Sequence, residues 1–414
     1  MKYLLILFLS YSLTLTSQTL LQPDRVFDGT EMHEGWVVLV NENKIHYTGP
    51  VTTIPKTKIA EIIDLKGTTL LPGIIEGHSH LLLHPYNETE WNDQVLKESP
   101  VERAIRGTVH AKNSLMAGIT TMRDLGSEGA GYADVYLKKT IDNGIVTGPR
   151  LLVAGPAIVA TGAYGPKGFH DGVSTPLGAD TASGVAHCIE TVRKQMGNGA
   201  DFIKIYADYR WTPGADSQPT FLQEEINAMV ATAKSAGKYV VAHASTPEGM
   251  KRAIEGGVET IEHGDGGTLA IFKMMKEKGI GYCPTLAAGD AITQYRGWNN
   301  ATEPEPDRIQ QKRKSFKTAL DSGVNIVFGG DVGVFAHGKN HKEMELLVDY
   351  GMSPLAVLKA ATSGNAKIFH LEDLGNLKEG YLADIIAVKG NPSNDINRMG
   401  DVMFVMKDGV VYKK

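Results

Sequence analysis

The segment LLPGIIEGHSH (residues 70–80) carries a short apolar run directly into His78 and His80. In an extended strand alternate side chains share a face, so the two imidazoles point the same way. Adjacent rings repel when both are protonated and leave polar nitrogens without partners when both are buried. A divalent metal ion removes both difficulties, because it binds neutral imidazole. A chance pair on a surface turn is the competing reading, and the rest of the chain discriminates between the two. Lys204 in DFIKIYAD, His243 in VVAHAS, His263 in TIEHGD and Asp331 in VFGGDVG each stand late in an apolar run, where a charge is expensive to bury. Taken singly, each reads as a satisfied core histidine or a helix cap. Six such residues at the ends of apolar runs point instead to one metal centre.

The elements that must bring them together are legible from the alternation of the chain. Eight short apolar runs recur: GIIEGH, GITTMRDLG, RLLVAGPAI, DFIKIYAD, YVVAHAS, ETIEHGD, GIGYCPTL and NIVFGGD. Helical patterns such as QEEINAMVATAKSAG, PEGMKRAIEGG and LAIFKMMKEKG separate them, each closing on glycine as helices often do. This alternation predicts parallel strands, and eight units predict a closed (β/α)8 barrel of the α/β class over residues 73–365. An open doubly wound sheet is the alternative, disfavoured because no glycine-rich phosphate loop follows the first strand. Strand-like stretches at both ends, residues 18–72 and 366–414, predict a small β-sandwich domain assembled from the two termini. In such a barrel, functional groups gather at the C-terminal strand ends, where runs one, four, five, six and eight carry the residues named above. Three long connections, Leu83–Thr108, Ile158–Asp180 and Ala287–Gln311, are expected to be lids or binding loops.

The ordered set H-x-H, Lys, His, His, Asp, opened by LLPGIIEGHSH and closed by GYLADIIAV, resembles the amidohydrolase superfamily across essentially the whole mature chain. AGITTMRDLG, GADFIKIYAD, AHASTPEGMKRAIEGGVETIEHGD and ATSGNAKIF are most similar to its Xaa-Pro and Xaa-Arg/Lys dipeptidases, carboxypeptidase-like enzymes and imidazolonepropionase-like proteins. The resemblance implies two divalent metal ions, most often zinc, with Lys204 N6-carboxylated to a carbamate that bridges them. Desolvation beside two cations lowers a lysine's pKa, which is what allows reaction with carbon dioxide. His78, His80 and Asp331 would hold one metal, and His243 and His263 the other. A metal-activated hydroxide would be the nucleophile, with Asp331 as general base. Tyr206, on the same strand face as Lys204, takes the role of polarising the scissile carbonyl. Many relatives carry Gly-Gly-His-Gly after strand three. Here the stretch is TGAYGPKGF, with Tyr164 in the histidine's place. Tyr164, Lys167, Arg210 and His337 are the expected substrate-binding residues, and their donors suit a carboxylate.

The remaining features narrow the function class. The 414-residue chain is 42% hydrophobic and 21% charged, with a formal net charge of -5 and no long basic run, which argues against nucleic acid as its partner. Two cysteines, Cys188 and Cys283, read as buried free thiols rather than a disulfide framework. MKYLLILFLSYSLTLTSQ has an early lysine, an apolar core and small polar residues, the pattern of a secretory signal peptide over residues 1–17. A secreted or periplasmic enzyme with no membrane span is expected, acting on a small molecule, with homo-oligomerisation left open. The leading reading is a metal-dependent hydrolase of a dipeptide or N-acyl amino acid. The alternatives are a mononuclear cyclic-amide hydrolase or deaminase, which usually lacks the strand-four lysine, and a non-catalytic binding protein of the same fold.

Overall fold

A computed structural model describes residues 18–414, so the segment read as a signal peptide lies outside the described residues. The eight apolar runs form a closed parallel barrel. Its first seven strands are Ile74–Ser79, Ile119–Asp124, Arg150–Val153, Ile203–Tyr206, Val240–Ala244, Thr260–His263 and Gly281–Cys283. The registers Met122↔Leu151, Lys204↔Val241, Ala242↔Ile261 and Ile261↔Tyr282 fix neighbours side by side. Strands three and four join through Asp201 N donating to Val153 O at 2.8 Å. Residues 326–332 supply the eighth strand, bridging to Tyr282 through Ile326 and back to Ser79 of the first strand through Val332. Asn365, in the helical stretch after strand eight, pins this closure. Its Nδ2 donates to Ile75 O at 2.8 Å and to Phe328 O at 2.7 Å, while its Oδ1 accepts from Phe328 N at 3.2 Å.

The third run departs from the expected single strand. It breaks at Gly155, which has φ +68°, and at Pro156, which has no N–H for a ladder. It resumes as Ile158–Ala160, paired in parallel with Asp180–Ala182. Two of the three long connections also hold helices, Trp91–Lys97 in the first and Leu286–Tyr295 in the third.

The outer helices bury one stripe each. In Gln223–Ser235 the buried apolar residues Ile226, Met229, Val230 and Ala233 recur at helical spacing, and burying each larger one contributes roughly 1.5–3 kcal/mol. Helix Pro247–Gly256 starts immediately after the fifth strand. Thr246 caps it by accepting from Gly249 N, Pro247 occupies its first turn, and Gly257 ends it at φ +84°. These caps fix where the strand that bears His243 stops.

Both chain ends enter one eight-stranded sheet. Ile385–Lys389 runs antiparallel to Ile59–Pro72, which lies parallel to Gln18–Phe27. Ile59–Pro72 continues through Gly73 into the first barrel strand, so this sheet anchors the base of the strand that carries the histidine pair. Cys188 and Cys283 are buried and free. No helix among the described residues is long and apolar enough to cross a membrane.

Candidate active site

The strand ends bring the six metal-ligand candidates into one ring. The His78 and His80 ring centroids lie 5.4 Å apart, His263 is 5.1 Å from His78, and His243 is 4.6 Å from His263. Asp331 Oδ1 reaches 3.5 Å from His78 Nε2 and 3.3 Å from His80 Nε2. His78, His263 and Asp331 each offer a ligand atom within 4.8 Å of the others'. Lys204 is 1% exposed on the fourth strand.

Burial sets the charge states. It pushes His78 and His263 well below the ordinary imidazole range and His243 to about 3, and the nearby Lys204 charge adds to each shift. Burial also lowers the Lys204 ammonium, against the opposing pull of Glu262, Asp331 and Glu128. The Asp331 carboxyl is raised by burial, with His80 and Lys204 pulling it back. Neutral imidazoles, one carboxylate and a disfavoured ammonium are what a divalent cation requires of its donors. The residues present therefore fit a metal centre.

A layer beneath the ring aims it. His78 Nδ1 lies 2.8 Å from Glu262 Oε2, and Arg123 Nη2 lies 3.2 Å from Glu262 Oε1. Arg123 also donates from Nε to Gly77 O at 2.8 Å and lies over the Phe369 ring at 3.9 Å. His80 Nδ1 is 3.0 Å from Gly126 O, and His263 Nδ1 is 2.8 Å from Thr285 Oγ1. With Nδ1 held, Nε2 is left to face the centre, the usual way a ligating histidine is oriented. His243 differs: its Nε2 lies 3.6 Å from Asp208 Oδ1, and its ring stacks on Tyr206 at 4.6 Å. Glu76 ties strand one to strand eight beside Asp331, accepting from His78 N at 3.0 Å, Gly330 N at 2.9 Å and Asn340 Nδ2 at 2.7 Å. Burial outweighs those bonds and raises its pKa to about 7.

Glu128, His263, Thr285 and Asp331 all take left-handed backbone conformations, with φ of 48°, 72°, 50° and 60°. Such positions cost on the order of 1–3 kcal/mol each and concentrate at functional sites. All four lie at or just beyond the C-terminal ends of barrel strands, at this one face.

The expected substrate-binding residues separate. Tyr206 and Tyr164 meet above the ring, their hydroxyls 3.4 Å apart, and Tyr164 Oη donates to Glu128 Oε2 at 2.8 Å. Arg210 is exposed, with its guanidinium carbon 5.6 Å from the Tyr209 ring centroid. Lys167 does not present a free ammonium. It donates to Ala163 O at 2.8 Å, to Trp211 O at 3.0 Å and to Arg210 O, clasping the loops after strands three and four. His337 is not a mouth residue either. It is buried, its Nε2 lies 3.1 Å from Leu83 O, and it stacks on His110 at 4.4 Å. Both placements have one cause: carbonyls exposed by irregular loops need donors, and these side chains supply them.

Glu76, Arg123, Glu128, Asp208 and Glu262 were not anticipated. Three of them had a signal in the sequence, a charge inside an apolar run: Glu76 in IIEGH, Arg123 in TTMRDLG and Glu262 in TIEHGD. The family model for amidohydrolases matches residues 69–413. The chain is 29% identical to ochratoxinase of Aspergillus niger, covering 93% of this chain and 84% of that one. It is 24% identical to imidazolonepropionase of Bdellovibrio bacteriovorus, over 85% of this chain and 82% of the relative. A crystal structure of a Xaa-Pro dipeptidase with bound methionine in the active site superposes with TM-score 0.84 and 32% identity. That match covers 96% of this chain and 100% of the dipeptidase.

Proposed function

The chain belongs to the amidohydrolase family, and from that membership we propose an exported enzyme that hydrolyses a dipeptide or an N-acyl amino acid at two divalent metal ions. The observation that carries the reading is Lys204, fully buried beside three neutral histidines and Asp331. An ammonium there is unfavourable, whereas an N6-carboxylated Lys204 would offer carbamate oxygens as metal ligands. His78, His80 and Asp331 would hold one metal and His243 and His263 the other, with zinc the best match to this donor set. Bound there, the metals would acidify water and polarise the scissile carbonyl.

The protein's own groups carry the proton and the orientation. Asp331, with its carboxyl raised by burial, takes a proton from the attacking water and returns it to the leaving amine. Tyr206 Oη is placed to donate to the carbonyl oxygen as charge develops on it. Arg210, exposed at the mouth, receives the substrate's free carboxylate. Support for the substrate class comes from the dipeptidase relative, and support for export comes from the apolar N-terminal segment.

Metal analysis tests the centre. Protein prepared with zinc and bicarbonate should hold close to two ions per chain, and Lys204→Ala should lose at least one of them. Retention of a single ion by the wild type under saturating conditions removes the bridging role. A screen of dipeptides and N-acyl amino acids on the same preparation tests the substrate class.

A further inference from the structure

Glu128 is a buried carboxylate beside the catalytic ring that the mechanism above does not use. It lies in the loop after the second strand, 2% exposed and held at φ 48°. Its two oxygens are treated unequally. Oε2 accepts from Trp91 Nε1 at 2.9 Å and from Tyr164 Oη at 2.8 Å. Oε1 has only Tyr206 Oη at 3.5 Å and His80 Nδ1 at 3.9 Å, and that His80 nitrogen is already engaged by Gly126 O. Arg103, the nearest guanidinium, donates to the Glu128 carbonyl rather than to its carboxylate. Among the described residues, His80 is the carboxylate's only ion-pair contact. Lys204 and Arg103 act on this carboxylate only at a distance, and a protein tolerates a buried anion without a contacting cation where a ligand supplies one.

The surroundings specify which cation. Tyr164, Tyr206 and Tyr209 have ring centroids 4.7–5.7 Å apart, and Trp91 lies 5.3 Å from Tyr164. A carboxylate walled by aromatic rings is the usual chemistry for an ammonium group. Covalent geometry then fixes its distance from the reacting carbon. In an aminoacyl group the α-nitrogen is about 2.5 Å from the carbonyl carbon and about 3 Å from the carbonyl oxygen. Tyr206 Oη, the donor assigned to that oxygen, is 3.5 Å from Glu128 Oε1. A carbonyl held by Tyr206 therefore leaves the α-ammonium of the same residue within reach of Oε1.

Resting on the reading of the site as an amide hydrolase, we propose that Glu128 with its aromatic wall is the receptor for a free α-ammonium. The substrate is then an aminoacyl compound, a dipeptide with an unblocked N-terminus, and not an N-acyl amino acid. Glu128 is a specificity-determining residue that discriminates by charge.

The experiment compares alanyl-X with propionyl-X, which differ only in the ammonium, for each X accepted in the substrate screen. The metal-loaded wild type should favour alanyl-X by about tenfold to a hundredfold in kcat/KM, the range of one charge-assisted hydrogen bond. In Glu128→Gln, with metal content measured alongside, that ratio should fall toward one. Equal rates in the wild type, or an unaltered ratio in the variant, overturn the proposal. Loss of metal from the variant, with the ratio kept, makes Glu128 a support for His80 instead. Where no X is hydrolysed in either form, the amide-hydrolase reading fails, and calorimetry on metal-free protein decides the receptor separately. Tighter binding of alanyl-X that Glu128→Gln abolishes upholds it, and equal binding overturns it.

Discussion

His80 and His337 are both buried histidines at the same end of the barrel, and they do opposite things. His80 gives Nδ1 to Gly126 O at 3.0 Å and turns Nε2 toward Asp331 at 3.3 Å. His337 gives Nε2 to Leu83 O at 3.1 Å and packs its ring on His110. The same contrast separates the strand-end ring from the loops above it. On the strand ends, ladder hydrogen bonds satisfy the backbone, so side chains are free to converge on the barrel axis. In the loops the backbone has unpaired carbonyls, and the side chains that look like ligand donors are taken up by them, as Lys167 is. Residue type alone does not distinguish the two regions; the state of the adjacent main chain does.

If the ring depends on the layer beneath it, the largest effect comes from breaking that layer. Glu262→Gln removes the charge opposite Arg123, which is fully buried and 3.2 Å away. Leaving a buried charge without its partner costs about 3–5 kcal/mol. Losing the carboxylate on His78 Nδ1 should weaken metal binding by about tenfold to a hundredfold. Urea unfolding of the metal-free variant and metal titration of the folded one measure the two losses separately. A variant as stable as wild type with unchanged metal affinity would show that the ring holds its own geometry.

Asp331→Asn comes next, and it sharpens the comparison by acting on the proposed base. The amide keeps the shape of the side chain but cannot accept the proton. A loss in kcat of about a hundredfold or more is expected, or roughly 2.7 kcal/mol in barrier height. Metal content is measured alongside, because Asp331 is also a proposed ligand and the loss in kcat is read at saturating metal. Turnover within a few-fold of wild type, with metals bound, excludes Asp331 as the base.

The two regions also differ in how far the sequence discloses them. The five apolar runs that carry His, Lys or Asp late were readable because strand register is rigid, and a polar residue late in a buried strand has one place to go. Glu76, Arg123 and Glu262 were visible by the same logic but lie deeper in their runs, where they read as interruptions of the pattern. Glu128 had no such signal, since it lies in a loop whose path depends on contacts distant in sequence. Asp208 closes the fourth run in the two-residue strand Asp208–Tyr209, and its partners are equally distant in sequence. Glu128 meets Trp91 and Tyr164, and Asp208 accepts from Ser245 N and Thr246 N. The break in the third run was signalled by Gly155 and Pro156. The clasp made by Lys167 was not, because it requires knowing that Ala163 O and Trp211 O face each other across two loops.

The smallest predicted effect tests the loop half of the comparison. In His337→Phe the ring can still stack on His110, but Leu83 O loses its donor. A buried carbonyl left unpaired costs about 1–3 kcal/mol. Part of that is offset, because His337 Nδ1 itself has no partner and phenylalanine removes it. A net loss of about 1 kcal/mol is expected, read as a lower urea midpoint with unchanged slope. Values of kcat/KM for substrates with a free carboxylate should stay within about threefold of wild type. The reverse pattern, an unchanged midpoint with KM raised tenfold, would return His337 to the substrate. It would also show that a loop carbonyl does not hold the ring in solution.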